Sequence, residues 1–286
     1  MSHEIVVRGG TIGVIGMNRT YVVTGAASGI GAATASYLRE HGGRVIACDL
    51  RNADVIANLA TSEGRAALVE GVTRLSEGRI DGIVANAGGG PAETSISLNF
   101  FGAVATLEGL RPLLERSPAP RAVAVSSIAS FSPVDARLVE ACLSMDERAA
   151  IAAAMEFATR NGPLEKLTRD EAINLARDLY SNAKHALNRW CRRVAVKPQW
   201  AGAGIPLNVV APGFIDTPAA AYILSDPESR AAMGRMVPLQ GAYPGRPEQM
   251  AAILAWCVSP ENGLMTGQIL AADGGFECLT RGENSW

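Results

Sequence analysis

The sequence predicts an α/β fold in a single domain, a doubly wound parallel sheet of seven strands with helices on both faces. Three observations predict it. Short apolar runs alternate with helix-compatible segments, and no hairpin signal lies between them after residue 20, the pattern of a parallel sheet covered on both sides. A strand-like stretch, residues 21–23, runs into Thr24-Gly25-Ala26-Ala27-Ser28-Gly29-Ile30-Gly31 and then into a helical run closed by Gly42-Gly43. Polar residues able to do chemistry recur at the carboxyl ends of successive strands, where ligands bind in such sheets.

The glycine turn is the first of these sites. Glycines at 25, 29 and 31 let the backbone turn sharply and approach an anion, and the N-terminus of the following helix offers it unpaired N–H groups. Strand, glycine turn and helix together predict a dinucleotide site. The second strand, residues 44–48, ends at Asp49, about where a ribose-binding carboxylate belongs. Asp49 can accept hydrogen bonds from both adenosine ribose hydroxyls and would repel a 2′-phosphate. Arg51 softens that repulsion, yet the balance favours NAD over NADP.

Residues 54–59 form a short third strand. Thr61-Ser62 caps a helix to about 75. Residues 79–85 make the fourth strand, which delivers Asn86-Ala87-Gly88. A long helix over 97–114 carries Asn99 in its first turns, and the fifth strand, 122–125, delivers Ser126-Ser127. Residues 140–159 read as one helix, broken at Asn161-Gly162-Pro163. Thr168 and Glu171 form a capping box for the next helix. Its buried stripe is Leu179, Ala183, Ala186, Leu187, Trp190 and Val194, and Tyr180 and Lys184 sit four apart on one flank. The sixth strand, 207–210, runs into Ala211-Pro212-Gly213 and then Thr217-Pro218. Residues 219–236 are rich in Ala, Ile, Leu and Met and suit an apolar lid. Pro247 opens a helix to about 258, and 267–272 is the last strand.

Composition narrows the function. Nearly half of the 286 residues are apolar and the net charge is −2, which disfavours nucleic acid or an anionic membrane as partner. No apolar run is long enough to span a membrane. Five scattered cysteines and three histidines give no metal-ligand spacing and fit reduced thiols in a cytoplasmic protein. Residues 1–19 read as an N-terminal extension without a signal-peptide pattern. Met17 is an alternative start, and Gly9-Gly10 an option for a small hairpin.

Tyr180 and Lys184 suggest acid–base work. Free tyrosine titrates near 10. An ammonium one helical turn away favours the phenolate. Lowering the tyrosine pKa by about 3 units corresponds to roughly 4 kcal/mol. Ser127 could hydrogen-bond a substrate oxygen on which negative charge develops.

Thr24-Gly25-x-x-x-Gly29-x-Gly31, Asn86-Ala87-Gly88, Ser127, Tyr180-x-x-x-Lys184 and Pro212-Gly213, in this order, resemble the short-chain dehydrogenase/reductase family over about residues 20–277. The resemblance implies a Rossmann fold and interconversion of a secondary alcohol and a ketone. It makes Tyr180 the acid/base and Lys184 the ligand of the nicotinamide ribose. Ser127 orients the substrate oxygen, with Ser126 the rival position, and Asn99 holds a water linking Lys184 to solvent. Thr217 contacts the carboxamide. Ser28, Ile30, Leu50, Asn58, Leu59, Asn86, Ala87, Gly88 and Ile215 complete the cofactor contacts. Asn58 stands where the family usually has an adenine-contacting Asp, and Ala85 where many members have a second Asn.

A closer resemblance, to the bacterial 3α-hydroxysteroid dehydrogenase/carbonyl reductase branch, rests on four features. These are Asp49-x-Arg51-x-Ala53-x-Val55-Ile56-Ala57, Thr61-x-Glu63-Gly64-Arg65, Asn99-Phe100-Phe101-Gly102 and the long interval between Ser127 and Tyr180. It implies a domain over 20–278, a helical insertion at 131–170 before the tyrosine, and a tail at 279–286. The implied substrate is apolar and cyclic, such as a 3-hydroxysteroid, with a terpenoid or aromatic alcohol as the alternative. The implied assembly is a homodimer or homotetramer, with helices starting near Ser97 and Asn182 as pairing surfaces that the insertion could block. A non-catalytic NAD-binding regulator would be expected to lack the tyrosine or the lysine. An enoyl reductase would need a wider spacing between them.

Overall fold

The computed structural model describes residues 18–160 and 162–283. Among them, seven strands form one parallel sheet: β1 (Thr20–Thr24), β2 (Arg44–Asp49), β3 (Val55–Ile56), β4 (Gly82–Ala85), β5 (Arg121–Val125), β6 (Leu207–Pro212) and β7 (Ile269–Ala272). Their order is β3-β2-β1-β4-β5-β6-β7, with all neighbours parallel. Every residue of β4, β5 and β6 is buried, as expected for strands covered on both faces. Side chains alternate between the faces. Val22, Ile46, Ile83, Ala122 and Val209 join one apolar cluster, while Tyr21, Val23, Val45, Val84, Val123 and Val210 join the other.

The helices are α1 (Gly29–Glu40), α2 (Ser62–Leu75), α3 (Ala103–Leu114), α4 (Ala136–Leu143), α5 (Glu147–Thr159), α6 (Arg169–Ala195), α7 (Ala221–Leu224), α8 (Pro227–Arg235), α9 (Pro247–Cys257) and α10 (Phe276–Arg281). The first cluster is closed by α2, α3 and α6, and the second by α1 and α9. The sequence order reverses between β1 and β4, which opens a crevice at their carboxyl ends. The four buried cysteines, 48, 142, 191 and 257, are free thiols inside this packing, and Cys278 is an exposed one. Burial pushes the Cys48, Cys142 and Cys257 thiols up to about 12, which leaves them protonated and inert.

Several elements differ from the sequence reading. The third strand is only two residues long, because the Asp54 carboxylate takes the Ala47 N–H at 2.8 Å in place of a backbone carbonyl. The fourth strand starts at Gly82 and the seventh at Ile269. The helix expected over 97–114 opens with a π-helical turn, Ser97–Gly102. The single helix expected over 140–159 is two. Met145, at φ 64°, breaks it, and Asp135 and Asp146 cap the halves, accepting from Leu138 N at 3.1 Å and Ala149 N at 3.0 Å. The capping box at Thr168 is present and α6 runs on without interruption, so Asn182 lies mid-helix and begins nothing. Helix α10 crosses the boundary expected at 278. The extension as far as Met17, with its hairpin option, the break residue Asn161 and the last residues of the tail lie outside the described residues.

Both halves of the insertion belong to the main core. Leu138, Val139, Cys142, Leu143, Ala150 and Ala154 are members of the first cluster. Helix α4 lies along α6. Asn182 Oδ1 accepts from Asp135 N at 2.8 Å, Arg189 pairs with Glu140 at 2.7 Å, and Arg193 reaches the Leu143 carbonyl at 3.5 Å. That flank of α6, expected as a pairing surface, is covered from within the chain.

Candidate active site

The crevice starts at the glycine turn. Gly25 (φ 68°) and Gly29 (φ 54°) have left-handed backbones. A Cβ on Gly31 would lie 2.0 Å from the Gly25 carbonyl oxygen, so only glycine closes this turn. Ser28 is the N-cap of α1 but makes no side-chain cap, which leaves the N–H groups of the first turn to an outside acceptor. Ile30 is half-buried against the second cluster. The Asp49 carboxylate accepts from Ala27 N at 2.9 Å and Leu50 N at 2.6 Å. It braces the turn from the end of β2, and it retains lone pairs for further donors. The Leu50 side chain is exposed, Asn58 is exposed and Leu59 is buried.

The opposite wall is the end of β4. Thr24 Oγ1 accepts from both Asn86 N and Ala87 N at 3.0 Å, and Asn86 Nδ2 donates to the Thr24 carbonyl at 3.0 Å. Asn86 thus ties β1 to β4 across the point where the order reverses. From β6, Pro212 and Gly213 lead to Ile215, which bridges Gly245. Thr217 Cγ2 stands 3.1 Å from where a Cβ on Gly29 would lie, so the two loops face each other. An uncapped helix start, left-handed glycines beside it and a carboxylate at the end of β2 with lone pairs to spare suit a dinucleotide.

Tyr180 and Lys184 share a flank of α6, with the Lys184 Nζ 5.6 Å from the centre of the half-buried Tyr180 ring. Lys184 is 2% exposed and donates to the Val125 carbonyl at 2.8 Å. Burial lowers its pKa to about 8, against a small opposing influence of Cys191. Asn99, fully buried in the π turn, accepts from Gly89 N at 2.8 Å and donates to Gly89 O at 3.0 Å and Ser95 O at 2.9 Å. A Cβ on Gly88 would meet Asn99 Oδ1 at 2.9 Å and Lys184 Nζ at 3.0 Å. The amide and the ammonium therefore both border Gly88.

The two serines after β5 diverge. Ser126 is buried and turns its hydroxyl to the Lys184 carbonyl at 3.4 Å, whereas Ser127 is half-exposed and caps the next turn through Ala129 N at 3.2 Å. A network that the sequence reading missed holds the Ser127 loop on α6. Ser130 Oγ donates to Ser127 O at 2.6 Å and accepts from Asn188 Nδ2 at 2.8 Å. His185 Nδ1 lies 2.9 Å from the Ser130 carbonyl, which can only accept, so that nitrogen carries the hydrogen. Asn188 is one turn beyond Lys184, a spacing that could have pointed to it.

The comparisons with known proteins agree with this fold. Residues 19–139 match the family profile described as short chain dehydrogenase, and residues 147–277 match one described as Enoyl-(Acyl carrier protein) reductase. The chain is 34% identical over 266 residues to a 3-alpha-hydroxysteroid dehydrogenase/carbonyl reductase of Comamonas testosteroni, covering 91% of this chain and 97% of that one. The chain belongs to the short-chain dehydrogenase family. It is an oxidoreductase of the alcohol/ketone type with a nicotinamide-dinucleotide fold. A cis-4-hydroxycyclohexanecarboxylate dehydrogenase of Sinomonas cyclohexanicum is 30% identical over the same share of this chain, 91%, and 97% of its own. The 3-alpha-hydroxysteroid dehydrogenase of Pseudomonas sp. B-0831, solved with NADH, superposes with a TM-score of 0.79 at 34% identity, covering 92% of this chain and 98% of that one. RhlG of Pseudomonas aeruginosa, solved with NADP, has a TM-score of 0.68 at 25% identity, covering 93% and 99%.

Proposed function

We propose that this short-chain dehydrogenase interconverts a secondary alcohol and a ketone with NAD, using Tyr180 as acid/base, on an apolar cyclic substrate such as a 3-hydroxysteroid. The observation that carries the reading is the Lys184 ammonium buried 5.6 Å from the Tyr180 ring and beside Gly88. A fixed cation beside a phenol favours the phenolate and hence removal of a hydroxyl proton. Ser127 hydrogen-bonds the substrate oxygen from the loop that Ser130 and Asn188 hold in place. Asn99 keeps Lys184 in communication with solvent. The dinucleotide would supply hydride exchange with the carbinol carbon. The glycine turn would hold its pyrophosphate, Asp49 its adenosine ribose, Lys184 its nicotinamide ribose and Thr217 its carboxamide. Asp49 supports NAD over NADP, since its carboxylate would meet a 2′-phosphate with like charge. A solved relative holds NADH and another NADP, so this preference needs measurement.

The steroid-type substrate is supported by likeness to the Comamonas and Pseudomonas enzymes, and a smaller ring alcohol by likeness to the Sinomonas enzyme. Reduction of an enoyl group is disfavoured by the four-residue spacing of Tyr180 and Lys184, despite the profile matched over 147–277. The presence of both residues disfavours a regulator without turnover. The reading includes a cytoplasmic location and a homo-oligomer.

The test is reduced-nicotinamide absorbance across steroid and cyclic alcohols, with NAD and NADP in parallel. Turnover of at least one of these alcohols, faster with NAD, is expected. Tyr180→Phe should lower kcat by about 10² or more, the scale of general acid–base catalysis. Its NAD affinity should stay close to that of the parent. A Tyr180→Phe enzyme as fast as the parent would sink the assignment.

A further inference from the structure

Arg65, in the first turn of α2, has no part in the reading above, yet all three of its guanidinium nitrogens are engaged. Its Nε donates to the Leu59 carbonyl at 2.8 Å. Nη2 donates to the Ser97 carbonyl at 2.8 Å and to Glu147 Oε1 at 2.7 Å, and Nη1 to Glu147 Oε2 at 2.5 Å. The guanidinium carbon stands 5.9 Å from the Phe101 ring centre. The Arg65 side chain is only 12% exposed and that of Glu147 30%. One rigid fork therefore joins three places: the loop at Asn58–Leu59 on the adenosine side, the π turn that carries Asn99, and the first residue of α5 in the insertion.

The charges explain why both partners are needed. A guanidinium this enclosed requires an ionised partner. Burial pushes the Glu147 carboxyl up, but Arg65 and Ser97 more than offset this and hold it below the usual carboxylate value. The pair is ionised and two-pronged, the geometry that fixes orientation as well as distance. Ser97 is two residues before Asn99, inside one π turn. Asn99 in turn pins Gly89 through its N–H and its carbonyl, beside Gly88 and Lys184. A shift of the Ser97 carbonyl would be passed to the Asn99 amide and through it to the Gly88-Gly89 segment that Lys184 borders.

We propose that Arg65 is a positioning residue for turnover. Through Ser97 it sets the Asn99-bearing turn against the adenosine-side loop, and Glu147 brings the insertion into the reaction by holding Arg65 in place. The proposal rests on the reading that Asn99 serves the proton path of Lys184. The two fail separately in the experiment below.

The full-length enzyme is compared with Arg65→Lys, Glu147→Gln and Asn99→Ala. The readouts are kcat, KM for NAD and for the alcohol, the solvent deuterium isotope effect on kcat, and the melting temperature. Misplacement by about an ångström can cost up to about 10²-fold in rate, so each clamp variant should lose about tenfold in kcat. KM for NAD should change by less than about twofold, since the expected loss is in positioning the turn and not in uniform binding. The isotope effect should move towards that of Asn99→Ala. The Arg65→Lys/Glu147→Gln double variant should be no slower than the slower single one, as expected for a shared device. Melting temperature alone falling, with kcat and isotope effect at parental values, would overturn the proposal and leave the clamp structural. Should Arg65→Lys fail to fold, the near-isosteric Glu147→Gln decides alone. An Asn99→Ala enzyme at the parental rate would also overturn it, while leaving Tyr180→Phe as the test of the reaction itself.

Discussion

The Lys184 ammonium donates to the Val125 carbonyl and stands over the Tyr180 ring, yet burial moves its pKa from the ordinary lysine value to about 8. An unfolded lysine titrates near 10.4, so between about pH 8 and 10.4 the unfolded chain binds the extra proton. Stability must therefore rise with pH across that window, and at neutral pH the folded protein carries the whole penalty, about 3 kcal/mol. Lys184→Met should raise the melting temperature of the nucleotide-free protein at pH 7 by several degrees, on the scale of about 2–4 °C per kcal/mol for a chain of this size. That advantage should shrink by pH 10, and turnover should be lost. Melts of both proteins at the two pH values test it, and equal melting temperatures at pH 7 would refute it. At this scale Tyr180 and Lys184 lie together, Gly88 borders Lys184 and Asn99, and Gly29 faces Thr217, groupings that their order along the strand ends made legible. What could not be read were the partners supplied by backbone, such as the Val125 carbonyl under Lys184 and the Gly89 peptide on Asn99, since a carbonyl has no letter of its own.

Helix α2 shows how a short motif turns into an element. Thr61 caps it by accepting from Gly64 N at 3.1 Å, and Arg65 follows into its clamp. Gly64 has a reason beyond capping. A Cβ there would lie 1.9 Å from the Asn58 carbonyl oxygen, so the first turn of α2 rests directly on the loop expected to flank the adenine. Gly64→Ala should push that loop away, with a loss of about 1–3 kcal/mol as for other overpacked sites. Chemical denaturation should register the loss, and NAD titration a weaker Kd. A variant of parental stability and affinity would show that loop and helix move apart freely. The elements that were misread have common causes. Met145 turns the chain with no Gly or Pro to announce it, so α4 and α5 looked continuous. Asp54 replaces a strand partner with its side chain, so β3 looked longer than it is. The π turn at Ser97–Gly102 keeps the apolar spacing of a helix and left no mark in the sequence pattern.

At the scale of the whole molecule, the helices of residues 131–170 cover a flank of α6 from within the chain. Helix α4 occupies the flank of α6 that carries Asn182, Arg189 and Arg193, and it does so with polar contacts on α6 and apolar ones into the common core. Helices α3 and α6 close the same face of the sheet, and α6 carries one of the two pairing surfaces that the family resemblance implied. Arg160 strengthens the closure by pairing with Asp135 at 2.8 Å, the residue that caps α4 and whose carboxyl the backbone N–H of Leu138 and Arg160 hold below its usual range. If the insertion limits assembly, replacing residues 132–168 by a short polar loop should uncover α6 and raise the sedimenting mass at a given protein concentration, about twofold if one isologous contact is added. The same variant also lacks Glu147, so its kcat should fall while its dinucleotide affinity, which the proposed function assigns to the glycine turn and Asp49, is kept. An unchanged mass would separate the insertion from assembly, and unchanged kcat would separate it from the chemistry.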